Sequence, residues 1–329
     1  MPEGHSVHRI ARQFDANFVG KRIAVSSPQG RFAAGAAELD GRTLNRVFAV
    51  GKQMFAEFDG DRWLRVHLGL YGAWDFAGRI LTDPTIASAQ GRMGQTNQRG
   101  TQLPEPTDVG GEDSVSSIGA PRVSRLRMSE QTRALDAAGE SFPPVPVGQV
   151  RARLLTDEQL ADLRGPTACV VTDGAGVQAV IDRLGPDPLH DDGPRAQEAF
   201  VAAVRRRRTA IALLLMDQSV VSGIGNVYRA ELLFRARLNP HTPGRALSED
   251  TAAALWQDWS RLLRIGVETG QMMTMDGLSP EENRRAMATL ADRHWVYKRE
   301  GLPCRVCGTN IVLEELGARK LYWCPSCQR

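Results

Sequence analysis

The last 26 residues carry four of the chain's five cysteines: Cys304 and Cys307 form one C-x2-C pair, and Cys324 and Cys327 form a second after sixteen intervening residues. Two close pairs brought together by a hairpin offer four thiolates at tetrahedral geometry, the ligand pattern of one structural Zn(2+) ion. The hairpin is predicted over 310–323, and Gly317, Ala318, Arg319 and Lys320 at its tip would project two cations. Five cysteines so distributed make a poor disulfide plan for an intracellular chain of 329 residues. Zinc ribbons serve many roles, so the metal alone leaves function open.

The chain of 329 residues exceeds the usual size of one compact domain, so two or more domains are expected, and its 42% hydrophobic content is enough to bury a real core. A net charge of +3 does not by itself point to a polyanion. Its distribution says more: residues 195–245 hold nine Arg against three acids, including the run Arg205, Arg206, Arg207, Arg208. A phosphate-facing surface needs such clustering, because each neutralised phosphate releases counterions. A solvated helix face accounts for an Arg run equally well. The start of the chain lacks the pattern of a secretory signal, and no stretch reaches the ~18 apolar residues of a membrane span. The expectation is a soluble, cytoplasmic monomer.

After Gly4, the residues Val7, Ile10, Ala11, Phe14 and Phe18 recur at helical spacing, which predicts an amphipathic helix anchoring the N-terminus on a core. From 43 to 76 the pattern becomes an antiparallel meander, with strands over 44–50, 53–58, 63–68 and 73–76 and a turn at Asp59-Gly60. Residues 86–147 are rich in Gly, Ser, Pro, Gln and Thr and are expected to be a largely disordered insertion. Strand-like sequence resumes over 149–155 and 168–172, where Cys169 reads as a small buried hydrophobe. The expected domains are 1–183, a linker at 184–194 broken by Pro186 and Pro188, a helical domain over 195–295, and the ribbon over 296–329.

Several positions carry candidate chemistry. Gly223-Ile224-Gly225-Asn226 stands between two apolar helical stretches; Asn226 could cap the second helix, whose free N–H groups suit a phosphate. An ordinary helix-helix turn is the plainer reading, until Arg229 and the Arg run are taken with it. Lys52 follows Gly51 at the start of a strand, and Leu70-Tyr71 occupies the turn after the next strand. Each is a weak signal alone.

Taken in order, Met1-Pro2-Glu3-Gly4, Gly51-Lys52, His67-Leu68-Gly69-Leu70-Tyr71-Gly72, the Leu-Gly-Pro-Asp-Pro-Leu stretch at 184–189, Leu215-Met216-Asp217-Gln218, Gly223-Ile224-Gly225-Asn226, Glu231 and the Cys ribbon with Arg319 resemble the formamidopyrimidine-DNA glycosylase and endonuclease VIII family. The resemblance spans nearly the whole chain outside the insertion. It implies an α+β chain: an N-terminal two-sheet β-sandwich with flanking helices, a helix-two-turns-helix domain and a C-terminal zinc ribbon, with double-stranded damaged DNA lying between the halves. Matched motif by motif, it makes Pro2 the Schiff-base nucleophile, Glu3 the general acid/base and Lys52 an essential cation. It makes Asn226, with Gly225, a phosphate ligand and Arg319, beside Lys320, a phosphate clamp. Leu70 and Tyr71 match the wedge that fills the gap left by a flipped base.

The chemistry suits these residue types on its own terms. Removal of Met1 would leave Pro2 as a free secondary amine, whose pKa of about 7.7 to 8.0 keeps a usable neutral fraction near pH 7. Its attack on C1′ expels the base and gives a cationic iminium that acidifies the C2′ hydrogen for elimination. Glu3 is adjacent in sequence and can carry protons to the ring oxygen and from C2′. The chain departs from the family at His5-Ser6, where a second Pro-Glu pair is common, so a supporting acid is missing. Leu70-Tyr71 resembles the endonuclease VIII branch, which points to oxidised pyrimidines excised with β,δ-elimination. A glycosylase for oxidised purines and a non-catalytic abasic-site binder are the alternatives.

Overall fold

The computed structural model describes residues 2–81, 117–119, 142–146, 148–191, 193–289 and 292–329. The chain divides into two compact units, one comprising the described residues up to Ile181 together with Val267–Gln271, the other Asp182–Gly266 and Met272–Arg329.

In the first unit the predicted N-terminal helix is α1, Gly4–Phe18, and its apolar stripe is fully used: Val7, Ile10, Phe14 and Phe18 are each at most 1% exposed. Among the described residues nine strands follow: β1 Arg22–Ser26, β2 Arg42–Val50, β3 Gln53–Phe58, β4 Arg62–His67, β5 Ala73–Gly78, β6 Ser117–Gly119, β7 Val150–Leu155, β8 Gln159–Arg164 and β9 Ala168–Thr172, with α2 at Ala33–Leu39 and α3 at Gly174–Ile181. Their order is β6-β5-β8-β7-β1-β2-β3-β4-β9. The two layers of the β-sandwich meet through β1, which pairs with β2 at Arg22 and Ile23 and with β7 from Ala24 to Ser26. Met54, Leu64 and Val66 from one layer and Trp74, Phe76 and Leu163 from the other share one core with α1. Phe14 is its hub, with its ring 4.8 Å from that of Trp74 and 5.3 Å from that of Phe76.

The other face of the second layer is buried and charged. Arg153 donates to both oxygens of Asp162 at 2.8 Å, and Arg164 pairs with Asp75. Burial raises the pKa of Asp162 against the pull of Arg153, and lowers that of Arg164 to about 10. Pairing and hydrogen bonding are what make such burial tolerable. Within 86–147 the structure describes 142–146 and β6, which pairs with β5; the rest of the expected insertion lies outside the described residues. Its near stem is held at Leu81, whose N–H and C=O are both bonded by the side chain of Asn17, with Gln13 adding a second donor.

The second unit is helical: α4 Pro194–Arg205, α5 Ile211–Leu214, α6 Asn226–Arg235, α7 Glu249–Thr269 and α8 Pro280–Ala288, the last opened by a full Ser279/Glu282 capping box. Tyr228 and Trp259 meet at 4.8 Å in its core. The ribbon strands β10 Val312–Glu315 and β11 Lys320–Trp323 form the predicted hairpin.

Candidate functional site

The first unit presents five of the sequence candidates: Pro2, Glu3, Lys52, Leu70 and Tyr71. Glu3, in extended conformation, is the residue before α1 and is 0% exposed, with Pro2 buried beside it. Seating α1 in the core therefore fixes the start of the chain. His5 and Ser6, which stand where a second acid is common in the family, are also buried, and His5 Nε2 lies 3.2 Å from Ser6 Oγ. Burial, then the charge of Arg9, holds the His5 pKa down at about 3, so this position adds a neutral hydrogen-bonding pair where an acid would add a negative charge.

Lys52 lies in the tight turn between β2 and β3, where Gly51 takes a φ of +58° and Val50 pairs with Gln53. Gln53 in turn faces His67 across β3 and β4. The pKa of His67 is lowered first by burial and then by Lys52, so the lysine and this histidine are neighbours. Beyond His67 the chain turns sharply, with Gly72 N–H donating to Leu68 O at 3.0 Å. A Cβ on Gly72 would meet that oxygen at 2.3 Å, so the turn requires glycine. Leu70 and Tyr71 project from its tip, 39% and 60% exposed. Two adjacent large side chains exposed at the tip of a tight turn form a surface suited to contact with a partner.

In the second unit, the Gly223-Ile224-Gly225-Asn226 turn is locked by Gln218, which accepts from Gly223 N–H and donates to the carbonyls of Ile224 and Met216. The stretch 184–189 is hydrogen-bonded to the same region: Gly185 N–H donates to Gln218 O, and Ser222 donates to Gly185 O and Pro186 O. Asn226 does not cap α6 with its side chain; the helix begins at Asn226 itself. Its amide instead donates to Lys320 O at 2.8 Å and accepts from Arg229. Arg229, 1% exposed, also donates to Lys320 O at 3.0 Å and Leu316 O at 3.4 Å. Its guanidinium is thus committed to the tip end of the ribbon hairpin, where Leu316 and Lys320 flank the turn, and is not part of an open Arg surface. From the run, Arg205 pairs with Glu249 at 3.2 Å, while Arg206 and Arg208 are exposed.

The hairpin tip is closed by Leu316 N–H donating to Arg319 O, with Gly317 and Ala318 both at positive φ, and it leaves Arg319 and Lys320 exposed. Glu231, one turn beyond Asn226 on α6, is fully buried and accepts from Thr274 Oγ1 and the N–H groups of Trp295, Val296 and Tyr297. Burial raises its pKa, and the four donors pull the other way. It ties the chain entering the ribbon to α6. The sequence groups Arg229 with the Arg run as a phosphate-facing cation, whereas the structure commits it to the hairpin carbonyls; Glu231 has no role of its own in that reading, and its spacing from Asn226 on one helix is the available signal.

The Sγ atoms of Cys304, Cys307, Cys324 and Cys327 all lie within 4.8 Å of one another. Zn–S bonds of about 2.3 Å place tetrahedral sulfurs about 3.8 Å apart, and Cys304–Cys327 at 3.9 Å and Cys307–Cys324 at 3.4 Å match that spacing and are far beyond a disulfide bond. Hydrogen bonds from Thr309 lower the Cys307 pKa to about 6, while burial raises those of Cys324 and Cys327, so it is the spacing of the sulfurs that points to metal. The cluster fits one structural zinc ion.

A β-sandwich headed by a buried Pro-Glu, a helix-two-turns-helix and a four-cysteine ribbon together define a class of DNA-lesion-processing proteins. Family models agree along the chain: the formamidopyrimidine-DNA glycosylase N-terminal domain matches residues 1–105, its H2TH domain 184–276, and the zinc finger found in FPG and IleRS 301–329. Endonuclease 8 1 of Mycobacterium tuberculosis is 38% identical over 330 residues, covering 100% of both chains. The formamidopyrimidine-DNA glycosylase of Thermus thermophilus is 36% identical over 146 residues, 44% of this chain and 54% of that one. Among solved structures, Lactococcus lactis Fpg in complex with DNA containing N7-benzyl-Fapy-dG superposes with a TM-score of 0.67 at 18% identity, covering 100% of each chain. The chain belongs to the formamidopyrimidine-DNA glycosylase and endonuclease VIII family, and is a base-excision repair DNA glycosylase with abasic-site lyase activity.

Proposed function

We propose that the enzyme excises oxidised pyrimidines from double-stranded DNA and then cleaves the strand by β,δ-elimination, acting as a monomer. The observation that carries this reading is the exposed Leu70-Tyr71 pair at the tip of the Leu68–Gly72 turn, supported by full-length sequence similarity to an endonuclease 8, whereas the sequence of the Thermus thermophilus formamidopyrimidine-DNA glycosylase aligns over 44% of the chain.

In the mechanism that follows, the Pro2 nitrogen forms a bond to C1′ of the lesion nucleotide as the bond from C1′ to the base breaks, and the base leaves with a proton. Glu3 delivers a proton to the ring oxygen, C1′–O4′ opens, and a cationic iminium remains. The Glu3 carboxylate then takes the C2′ proton as the 3′ phosphate leaves, loss of the C4′ proton to solvent expels the 5′ phosphate, and water hydrolyses the iminium to free the Pro2 amine. A carboxylate buried beside the nucleophile suits both duties, since low dielectric strengthens its attraction to the developing cation. Lys52 neutralises a phosphate of the lesion strand. Asn226 contributes the second N–H of its amide together with the backbone N–H groups of the α6 start, and Gly225 lets the strand approach. Arg319 and Lys320 hold a phosphate from the ribbon tip, and Leu70 and Tyr71 occupy the space vacated by the flipped nucleotide.

The test is a panel of duplexes of one sequence carrying thymine glycol, 5-hydroxyuracil, 8-oxoguanine or an abasic site. Faster single-turnover excision of the two pyrimidine lesions is expected. A preference for 8-oxoguanine would move the enzyme to the purine branch, and binding without turnover on every duplex would make it an abasic-site binder.

A further inference from the structure

The short turn that leads into the zinc ribbon sets a lysine where glycine would be expected. Arg299 N–H donates to Val296 O at 3.1 Å, and Lys298, the third residue of that turn, has a φ of +56°. Turns with a left-handed third residue select Gly or Asn, because any larger side chain there is strained. The strained backbone places the Lys298 ammonium 5.9 Å from the centre of the Tyr297 ring. That ring meets Tyr322 of β11 edge-on at 5.1 Å. Tyr322 and Lys320 are two apart on one strand and so share a face. The carbonyl of Lys320 is the one that Asn226 and Arg229 both grip. A line of neighbouring residues therefore runs from Lys298 to the start of α6. Burial lowers the Lys298 pKa, the Glu300 carboxylate opposes it, and Lys320 lowers it further. Glu300 meets part of the charge of the two lysines on this aromatic face, and a phosphate beside them would meet the rest.

We propose that Lys298 is a further phosphate-binding residue of this enzyme: together with Lys320 it forms a two-lysine site, on the Tyr297 and Tyr322 face of the ribbon, for one phosphodiester of the DNA. The inference rests on the reading that the α6 start receives the DNA backbone. Lys298 acts in binding only and takes no part in the chemistry of Pro2.

The experiment measures affinity of the full-length, zinc-loaded protein for a duplex with a tetrahydrofuran abasic analogue across a series of KCl concentrations. Lys298→Gly suits the left-handed backbone better than lysine does, so its melting temperature should equal or exceed that of wild type. In this variant and in Lys298→Met, Kd should rise about tenfold near physiological salt, and the slope of log Kd against log [KCl] should fall by about 0.9, the share of one phosphate. Lys298→Arg should restore the slope. An unchanged slope in Lys298→Gly overturns the proposal, as does an equal loss in Lys298→Arg. Excision by the wild type, measured in parallel, separates the two readings: activity with an unaltered slope removes only the Lys298 site, and an altered slope without activity keeps the site and removes the proposed reaction.

Discussion

Arg229 donates to Oδ1 of Asn226 from one turn further along the same helix, and both side chains end on the carbonyl of Lys320. The start of α6 and the tip of the zinc hairpin are thereby one construction, held by a guanidinium that is 1% exposed. Only a planar, multi-donor cation can reach a side-chain oxygen and two hairpin carbonyls at once. Glu231 reinforces the same joint from its other side, by accepting three consecutive N–H groups of the chain that enters the ribbon.

Arg229→Ala should therefore leave Asn226 Oδ1 and the carbonyls of Leu316 and Lys320 short of donors. A destabilisation of about 2–4 kcal/mol is expected, with weaker binding to an abasic-analogue duplex and undiminished zinc content. Arg229→Lys should recover little of either. Wild-type melting and affinity in Arg229→Ala would show that the ribbon tip needs no such support.

Metal loss should act on the same tip from the other end of the hairpin. Cys324→Ser leaves three thiols for a tetrahedral ion, so zinc should be released, β10 and β11 should loosen, and DNA binding should weaken while the β-sandwich stays folded. Zinc stoichiometry and anisotropy binding report the two effects separately. Full affinity in metal-free protein would dissociate the ribbon from DNA recognition.

How far the sequence discloses these features depends on how local their causes are. The Cys pairs, the stripe of α1 and the Asp59-Gly60 turn are each written within a few residues, and the structure places a thiol cluster, a buried helix and a hairpin there. Strand β8 is not legible in the same way. Its residues Asp162 and Arg164 occupy the side that pairs with Arg153 and Asp75, so both faces are buried and the apolar-polar alternation of a half-exposed strand is absent. The roles of Arg229 and Gln218 are hidden for a related reason: apart from the Asn226 side chain that Arg229 also reaches, their partners are backbone groups, which carry no sequence signature. The misreading of Asn226 as a cap has the same origin, since Lys320 O, 94 residues away, attracts its amide.

Two buried histidines should make stability fall in mild acid. His5 and His294 are both held at about 3, chiefly by burial, against 6.5 for a free imidazole. Between those values the unfolded chain binds more protons than the folded one. Unfolding free energy should therefore be complete above pH 6.5 and decline as pH drops toward 3, by up to about 1.4 kcal/mol per pH unit for each histidine. Thermal melts from pH 7.5 to 4.5 would follow this. Replacing His294 with Gln should make the decline shallower, and a slope identical to that of wild type would mean that this imidazole is accessible to protons in the folded chain.

The proposed nucleophile admits the most direct test. If the Pro2 amine attacks C1′, borohydride should reduce the iminium and leave a covalent protein-DNA adduct whose link maps to the first residue after Met1 is removed. Retained Met1 or an uncleavable N-terminal tag turns that amine into an amide with no basic lone pair. Trapping and strand cleavage should then vanish, while binding through Asn226, Arg319 and Lys320 persists. Glu3→Gln should behave differently: a neutral amide cannot give the ring oxygen a proton, so base excision should fall by about 100-fold or more, with a smaller loss on a preformed abasic site, where no base has to leave. Full lyase activity in protein with a blocked N-terminus would remove Pro2 from the mechanism and direct attention to a lysine, with Lys52, beside His67, the first to substitute.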